Sequence, residues 1–428
     1  MTDRLIVRLG ETIVGNIEQT RNELRLTYED AWRQSPASYP LSLSMPLVQA
    51  EHQDEVVRPW LEGLLPDSEV VLRSWAREFG ASARNPFSLL SHVGEDLPGA
   101  VQLLRPDRVD TVAGRGGTVR WLTEEELEER LRGLVDNHAA WRVQGDTGYF
   151  SLAGAQPKTA LLFDEGRWGV PSGSIPTTHV FKPPAAEGLD GLAENEHLCL
   201  GIAGALGIPA ADSAVARFGD QSCLVVQRCD RLRVGGVLRR IHQEDCCQAL
   251  GISPLGKYEA EGGPGASSII QLLRDQSSAP RADIEHFVAA LALNWAIGGS
   301  DGHAKNFSVL IAPGGQVRLA PIYDVLTVLP YPRRYHPPEV KLAMKIGGEY
   351  RLDWIARRHW ARFAEEASLG ASQVLSQVED VVERLAHVIP AVCAQGRGEG
   401  LSMPFVDRFE EALLANVARA SSTLGRPS

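Results

Sequence analysis

The segment from Gly298 to Asp324, GGSDGHAKNFSVLIAPGGQVRLAPIYD, constrains this chain more than any other. It follows DIEHFVAALALNWAIG, whose apolar spacing predicts a helix ending at Ile297. Asp301 and Asn306 stand five positions apart, and FSVLI then predicts a strand. Pro313, Gly314 and Gly315 form a turn, QVRLAPI returns as a second strand, and Asp324 closes it. An antiparallel hairpin brings the end of its second strand beside the start of its first. Asn306 and Asp324 are therefore expected close together, with Asp301 on the loop before them.

That arrangement suits phosphoryl transfer from ATP. The reaction needs Mg2+ bridging phosphate oxygens, held by a carboxylate and a side-chain carbonyl, and a further carboxylate to orient and deprotonate the attacking hydroxyl. Kinases use Asp, Asn five residues on, and a metal-binding Asp after a hairpin. This chain has the same order in Asp301, Asn306 and Asp324. A solvated polar loop capping a helix is the plainer alternative, and it explains one aspartate more readily than all three residues. No Arg precedes Asp301, Tyr-Asp-Val stands in place of Asp-Phe-Gly, and Lys305 adjoins Asn306, so an ordinary eukaryotic-type kinase domain is disfavoured.

Neither GxxxxGK[ST] nor GxGxxG occurs at a strand–helix junction, which excludes the signals of a P-loop or a dinucleotide fold. In SLAGAQPKTALL, the small residues Ala153, Gly154 and Ala155 would let backbone N–H groups approach an anion. Lys182 ends the expected strand THVFK ahead of the turn PPAAEG and is the candidate phosphate lysine, although a plain surface lysine reads the same way. Glu194 or Glu196 on the next helix could orient it.

A length of 428 residues suits two or three packed subdomains, and 44% hydrophobic with 23% charged residues indicates a globular chain. The N-terminus lacks a signal-peptide pattern and no apolar run reaches membrane-spanning length, so a cytoplasmic protein with no membrane contact is expected. Six cysteines without CxxC or zinc spacing suit reduced thiols. A net charge of −11 argues against unaided nucleic-acid binding. The basic stretch 333–362 reads as a solvated helix and loop face, or as a secondary surface for DNA or an anionic partner.

The first hundred residues alternate apolar and polar positions (Leu5, Val7, Leu9; Leu24, Leu26, Tyr28), the pattern of short antiparallel strands. Helical spacing follows from Trp60, broken by Pro66, and 107–118 reads as a linker or exposed loop. Thr123 before EEELEERLRGLV announces a helix. Strands are expected at Thr159–Phe163, Thr178–Lys182 and Cys223–Arg228, a helix at Glu194–Leu206, and mostly helix after Ala282. The class expected is α+β.

SLAGAQPKTALL, THVFKP, ENEHLCL, HQEDCCQALG, KYEAEGGPG, SDGHAKNFSVL and IYDVL, in this order, resemble HipA toxins, serine/threonine-protein kinases of type II toxin–antitoxin systems. PLSLSMPL, LEGLLPDSE and GAVQLL resemble the N-terminal subdomain of that family, and the likeness runs over roughly residues 3 to 390. It implies a bilobal protein-kinase-like fold with a β-rich N-terminal lobe and a mostly helical C-terminal lobe. The implied organisation is a HipA N-terminal subdomain at 1–106, linker and helix at 107–148, a kinase core at 149–390 and a helical tail at 391–428. It also implies Mg-ATP as donor, a protein substrate for which glutamyl-tRNA synthetase is the suggestion of the best-known relatives, a HipB-like helix-turn-helix antitoxin, and operator DNA met only through that complex.

By motif, the resemblance makes Asp301 the general base and Asn306 and Asp324 the Mg2+ ligands. Ala153, Gly154, Ala155, Gln156, Pro157 and Lys158 become the phosphate loop, with Lys182 reaching the phosphates. Gln227, Arg228 and Cys229 become the adenine hinge, where the family usually carries an acidic residue and an aromatic. His303, Lys305 and Tyr323 fall around the nucleotide, and Ser151 matches the autophosphorylated serine. A small-molecule or lipid kinase, and a catalytically weak co-repressor acting with the antitoxin, are the competing readings.

Overall fold

The computed structural model describes residues 3–113, 116–143, 146, 148–184, 189–336 and 339–425. The chain divides into two units. Unit one comprises Met1–Ala185, Ala216–Leu255 and Val309–Val317; unit two comprises Ala186–Val215, Gly256–Ser308 and Arg318–Ser428. Strands concentrate in the first and helices in the second, the α+β composition expected.

Unit one opens with a five-stranded sheet in the order Glu51–His52, Glu23–Tyr28, Thr12–Thr20, Asp3–Leu9 and Val101–Leu104. Leu5, Val7, Leu9, Leu24, Leu26 and Tyr28 are all buried, as period-two alternation requires. The helices Asp54–Gly63 and Glu69–Phe79 flank the break at Pro66. A six-stranded sheet follows, in which His179–Lys182 lies between Gln221–Gln227 and Thr159–Asp164. Leu161, Phe181, Cys223 and Val225 pack there against Leu127 and Leu131 of the helix Glu124–Asp136. That helix starts with a capping box: Thr123 Oγ1 accepts from the Glu126 N–H, and the Glu126 carboxylate accepts from the Thr123 N–H.

The 107–118 stretch departs from the linker expected. Pro106–Arg108 is a 3-10 turn and Val109–Ala113 a helix, pinned by Val112, which is fully buried; residues 114 and 115 lie outside the described residues. Arg108, bonded to the Glu95 carboxylate at 2.6 Å, and Thr118, bonded to Ser172, anchor the same stretch.

The PLSLSMPL segment is gripped by HQEDCCQ. His242 Nε2 lies 2.8 Å from the Leu41 carbonyl, and the Glu244 carboxylate accepts from the Leu43 N–H at 2.8 Å. The Ser42 and Ser44 hydroxyls both donate to the Gln248 carbonyl (3.2 and 2.9 Å). Burial pushes the Glu244 carboxyl up to about 8. A raised carboxyl contributes stability that is full below its unfolded value and lost as pH climbs through the folded one. Glu244→Gln, which imitates the neutral acid, should therefore match wild type near pH 4.5 and exceed it by a few kcal/mol at pH 8, at about 1.4 kcal/mol per unit. Denaturant melts across that range test this, and a difference that stays constant with pH would refute it.

Unit two is built around the helix Pro280–Ile297, whose residues Phe287, Val288, Leu291, Leu293 and Trp295 are buried on several faces. The long helices Ala371–Gly398 and Met403–Leu424 pack on each other and on this one. Asn416, on the last helix, donates its Nδ2 to the Ala296 carbonyl at 2.8 Å and to the Trp295 carbonyl at 3.4 Å, in the last turn of the central helix, where backbone donors are few. The basic stretch 333–362 is not only helix and loop. Lys341–Ile346 and Glu349–Arg351 form a hairpin turned by Gly347 and Gly348, both at positive φ, before the helix Arg357–Glu366. Leu342, Met344 and Ile346 are buried, while Lys345, Arg357 and Arg362 are paired with Glu259, Glu379 and Glu366. All six cysteines are free thiols, and among the described residues no helix is long and apolar enough to cross a membrane.

Candidate active site

In unit one, the chain enters the candidate phosphate loop at Ser151, which is fully buried. Its N–H donates to the Asp96 carbonyl (3.0 Å) and its hydroxyl to the Leu64 carbonyl (2.7 Å). Gly154 holds φ +100°, a conformation that L side chains rarely adopt, and a Cβ there would lie 2.5 Å from Lys158 Nζ. The Gly154 carbonyl accepts from the Asp67 N–H at 3.0 Å. Lys158 closes the loop on itself by donating to the Ala153 carbonyl at 2.7 Å. Ala155 is exposed, Ala153, Gly154 and Gln156 are half-buried, and Pro157 is buried, so the tip is the part open to a ligand.

The loop leads into the strand Thr159–Asp164, where Thr159 pairs with Phe181. One step further, the antiparallel register sets Lys158 beside Lys182. Lys182 is buried and pairs on its other side with Leu224, three residues before Gln227, which faces His179. The loop exit, Lys182 and Gln227 thus stand on three neighbouring strands. Residues 185–188 of the turn expected after Lys182 lie outside the described residues.

Arg228 differs from what a ligand-facing hinge residue would offer. Its guanidinium is buried and held by Asp230 (2.8 Å) and Asp96 (3.4 Å). The arginine side chain is taken up by these carboxylates, which leaves the backbone as what this position can offer a ligand. Cys229 Sγ lies 3.5 Å from Gln243 Oε1, and burial pushes its thiol up to about 12.

In unit two, the helix Pro280–Ile297 ends at Gly298 (φ +70°), where a Cβ would meet the Leu329 side chain at 2.6 Å. The following loop is held from within. The Asp301 carbonyl accepts from the His303 N–H (2.7 Å) and from Asn306 Nδ2 (2.8 Å). Donation by Nδ2 fixes the amide so that Oδ1 is the atom it offers a cation. Asp301, Asn306, Tyr323 and Asp324 line one cavity, as the hairpin argument requires. Asp324 has φ +59°, left-handed backbone that Asp tolerates better than most side chains. The Tyr323 hydroxyl donates to the Lys305 carbonyl (3.0 Å) and lies 2.6 Å from Ser308 Oγ, so its phenol braces the loop from behind while Lys305 itself is buried.

The Asp301 side chain is 60% exposed, and its Oδ1 accepts from the Tyr258 hydroxyl at 2.8 Å. His303 is buried, edge-on to the Tyr258 ring, with Nε2 4.0 Å from Asp301 Oδ1. Burial lowers its imidazole below the usual value, against the opposing pull of Asp301 and Asp324. Two residues escaped the sequence reading. Tyr258 sits in KYEAEGG, where nothing marks it as a partner of Asp301. Asn294 also lines the cavity and packs against Gly299 and Gly302, and its signal was there: it is the one amide in an otherwise apolar helical turn.

Among the described residues, no group of three or more His, Cys, Asp or Glu side chains could hold a metal. Asn306 and Asp324 could supply two oxygen ligands, a donor set of the kind that Mg2+ accepts from protein.

Residues 5–104 match the family model of the HipA N-terminal domain, and residues 150–389 that of the HipA-like C-terminal domain. Y4mE of Sinorhizobium fredii, a kinase by name, is 35% identical over 393 residues, covering 89% of each chain. The serine/threonine-protein kinase toxin HipA of Shewanella oneidensis is 28% identical over 98% of this chain and 96% of its own. Among solved structures, the Shewanella oneidensis complex of HipA, HipB and operator DNA contains a chain that superposes with a TM-score of 0.82 at 25% identity, covering 98% of this chain and 97% of that one.

Proposed function

Because the chain belongs to the HipA family of toxin kinases, we propose that it transfers the γ-phosphate of ATP to a serine or threonine of a cellular protein, and that a HipB-like helix-turn-helix antitoxin holds it in check. One observation carries this reading: Asp301, Asn306 and Asp324 line a single cavity in the order that phosphoryl transfer uses. In this reading Asp301 orients and deprotonates the acceptor hydroxyl, and Tyr258 fixes the carboxylate. Asn306 and Asp324 hold Mg2+, which neutralises charge on the phosphates. Lys158, Lys182 and the loop 153–158 take the phosphates, and residues 227–229 take the base through backbone groups. The Shewanella complex supports the antitoxin, and the charge of −11 supports contact with DNA through that partner rather than alone.

The experiment is a melt with ATP, with and without Mg2+. Ligand at a hundred times its Kd stabilises by about 2.7 kcal/mol, so a Mg2+-dependent rise in Tm is expected, together with transfer of label from γ-labelled ATP to protein. No Mg2+-dependent shift would remove the enzyme and leave the co-repressor. Label appearing only on small molecules would move the acceptor to another class.

A further inference from the structure

A buried ionic cluster in unit one joins the candidate phosphate loop to the candidate hinge, and Asp96 is its centre. The Asp96 Oδ1 accepts from Arg231 Nη2 (2.8 Å) and Arg240 Nη2 (3.3 Å). Its Oδ2 accepts from the Thr177 N–H (3.0 Å), the Thr177 hydroxyl (2.7 Å) and Arg228 Nη1 (3.4 Å). Its backbone carbonyl accepts the Ser151 N–H at 3.0 Å. From the hinge side, Arg228 and Arg231 also reach the Leu97 carbonyl (2.9 and 3.0 Å), and the Asp230 carboxylate accepts the Gly99 N–H at 2.6 Å. One short segment, 96–99, is thus held by Arg228 of the hinge and by Asp230 and Arg231 just after it, while holding the first residue of the loop.

The charges are not balanced. Arg228, Arg231 and Arg240 face Asp96 and Asp230, three against two, and all five side chains are buried. A buried ion cluster is a weak source of stability compared with apolar packing; what it can supply is a fixed arrangement, because taking one member away strands the others. Without the Asp96 charge, three guanidinium groups would share one carboxylate, and the 96–99 segment would be free to shift with its grip on Ser151.

We propose that Asp96 is a positioning residue for the nucleotide: it fixes the start of the loop 151–158 relative to residues 227–230, so that one ATP molecule meets both. This rests on the reading above, in which the loop takes the phosphates and residues 227–229 the base. Asp96 itself touches neither.

Asp96→Asn tests it in the full chain, since the amide keeps the size and an acceptor for Thr177. Amide hydrogen exchange without nucleotide should quicken at 151–158 and 227–231 together, while the strand Thr159–Asp164 keeps its protection. Kd for Mg-ATP should weaken about tenfold or more, with kcat at saturating ATP and KM for the acceptor within about threefold of wild type. A folded variant with wild-type Kd, or with only one of the two segments loosened, overturns the proposal. If Asp96→Asn does not fold, Thr177→Val removes the 2.7 Å hydroxyl bond to Asp96, together with the 2.8 Å bond that the hydroxyl accepts from Arg228 Nη1, and keeps every charge. It should shift exchange in the same two segments and weaken Kd by a few-fold, and wild-type behaviour there overturns the proposal equally. Wild-type protein that binds no Mg-ATP would defeat the functional reading instead, and the paired exchange would still decide the coupling.

Discussion

Asp301→Asn is expected to stop phosphoryl transfer, with a loss of about 10²–10⁴-fold in kcat, while Mg-ATP binds as before. The variant keeps the size of the side chain and an oxygen for the Tyr258 hydroxyl. It also leaves untouched the backbone carbonyl that sets the Asn306 amide. Only the base is lost. Asp324→Ala should fail differently, by weakening Mg-ATP binding itself, and it carries a second cost. Alanine at φ +59° occupies left-handed backbone, worth roughly 1–2 kcal/mol. Asp324→Asn separates the two effects, since asparagine tolerates that backbone and removes only the charge. Turnover with labelled ATP and calorimetry with Mg-ATP give the two readouts. Wild-type turnover in both Asp301→Asn and Asp324→Ala would refute the site.

ATP treatment of the wild-type protein should add one phosphate at Ser151 and lower both ATP affinity and toxicity. The physical case lies in what surrounds the hydroxyl. Ser151 is fully buried and donates to the Leu64 carbonyl. A phosphate ester has lost that proton and brings close to two negative charges, so it would set a dianion against a carbonyl oxygen in a dry site. The 151–158 loop must then leave its seat and give up the bonds Asp67 to Gly154 and Ser151 to Asp96. Lys158, buried before, becomes accessible to trypsin. Mass spectrometry after ATP incubation should show the added phosphate, and timed proteolysis should show faster cleavage after Lys158. Ser151→Ala should show neither change at that peptide. An active enzyme with Ser151 unmodified would end this mechanism and leave the kinase reading intact.

The parts of the site that lie close in sequence were readable because local geometry determines them. A helix, a five-residue spacing and a hairpin suffice to bring Asp301, Asn306 and Asp324 to one cavity, whatever the rest of the chain does. The alternation of Leu5, Val7 and Leu9 likewise needs only the pleat. What escaped depends on distant partners. Tyr258 meets Asp301 across 43 residues of chain, and Arg228 looks like an open hinge residue until Asp96, from 132 residues earlier, is seen beside it. The hairpin in 333–362 was hidden for another reason: its lysines and arginines drew the eye to charge, while the buried Leu342, Met344 and Ile346 set the structure.

The Asn416 amide bears on how this chain can be cut. Sequence likeness to the HipA-like C-terminal domain ends at residue 389, inside the helix Ala371–Gly398. Yet the carbonyl of Ala296, one residue before the helix that delivers Asp301 comes to its end, accepts from residue 416 at 2.8 Å, and that of Trp295 shares the same amide with the Gly298 N–H. An expression clone stopped at the end of the recognisable domain would expose those carbonyls and the apolar bed of Phe405 and Phe409. The end of the domain's family model is therefore a poor guide to where to place a stop codon, and an affinity tag belongs after residue 425, beyond the last helical turn.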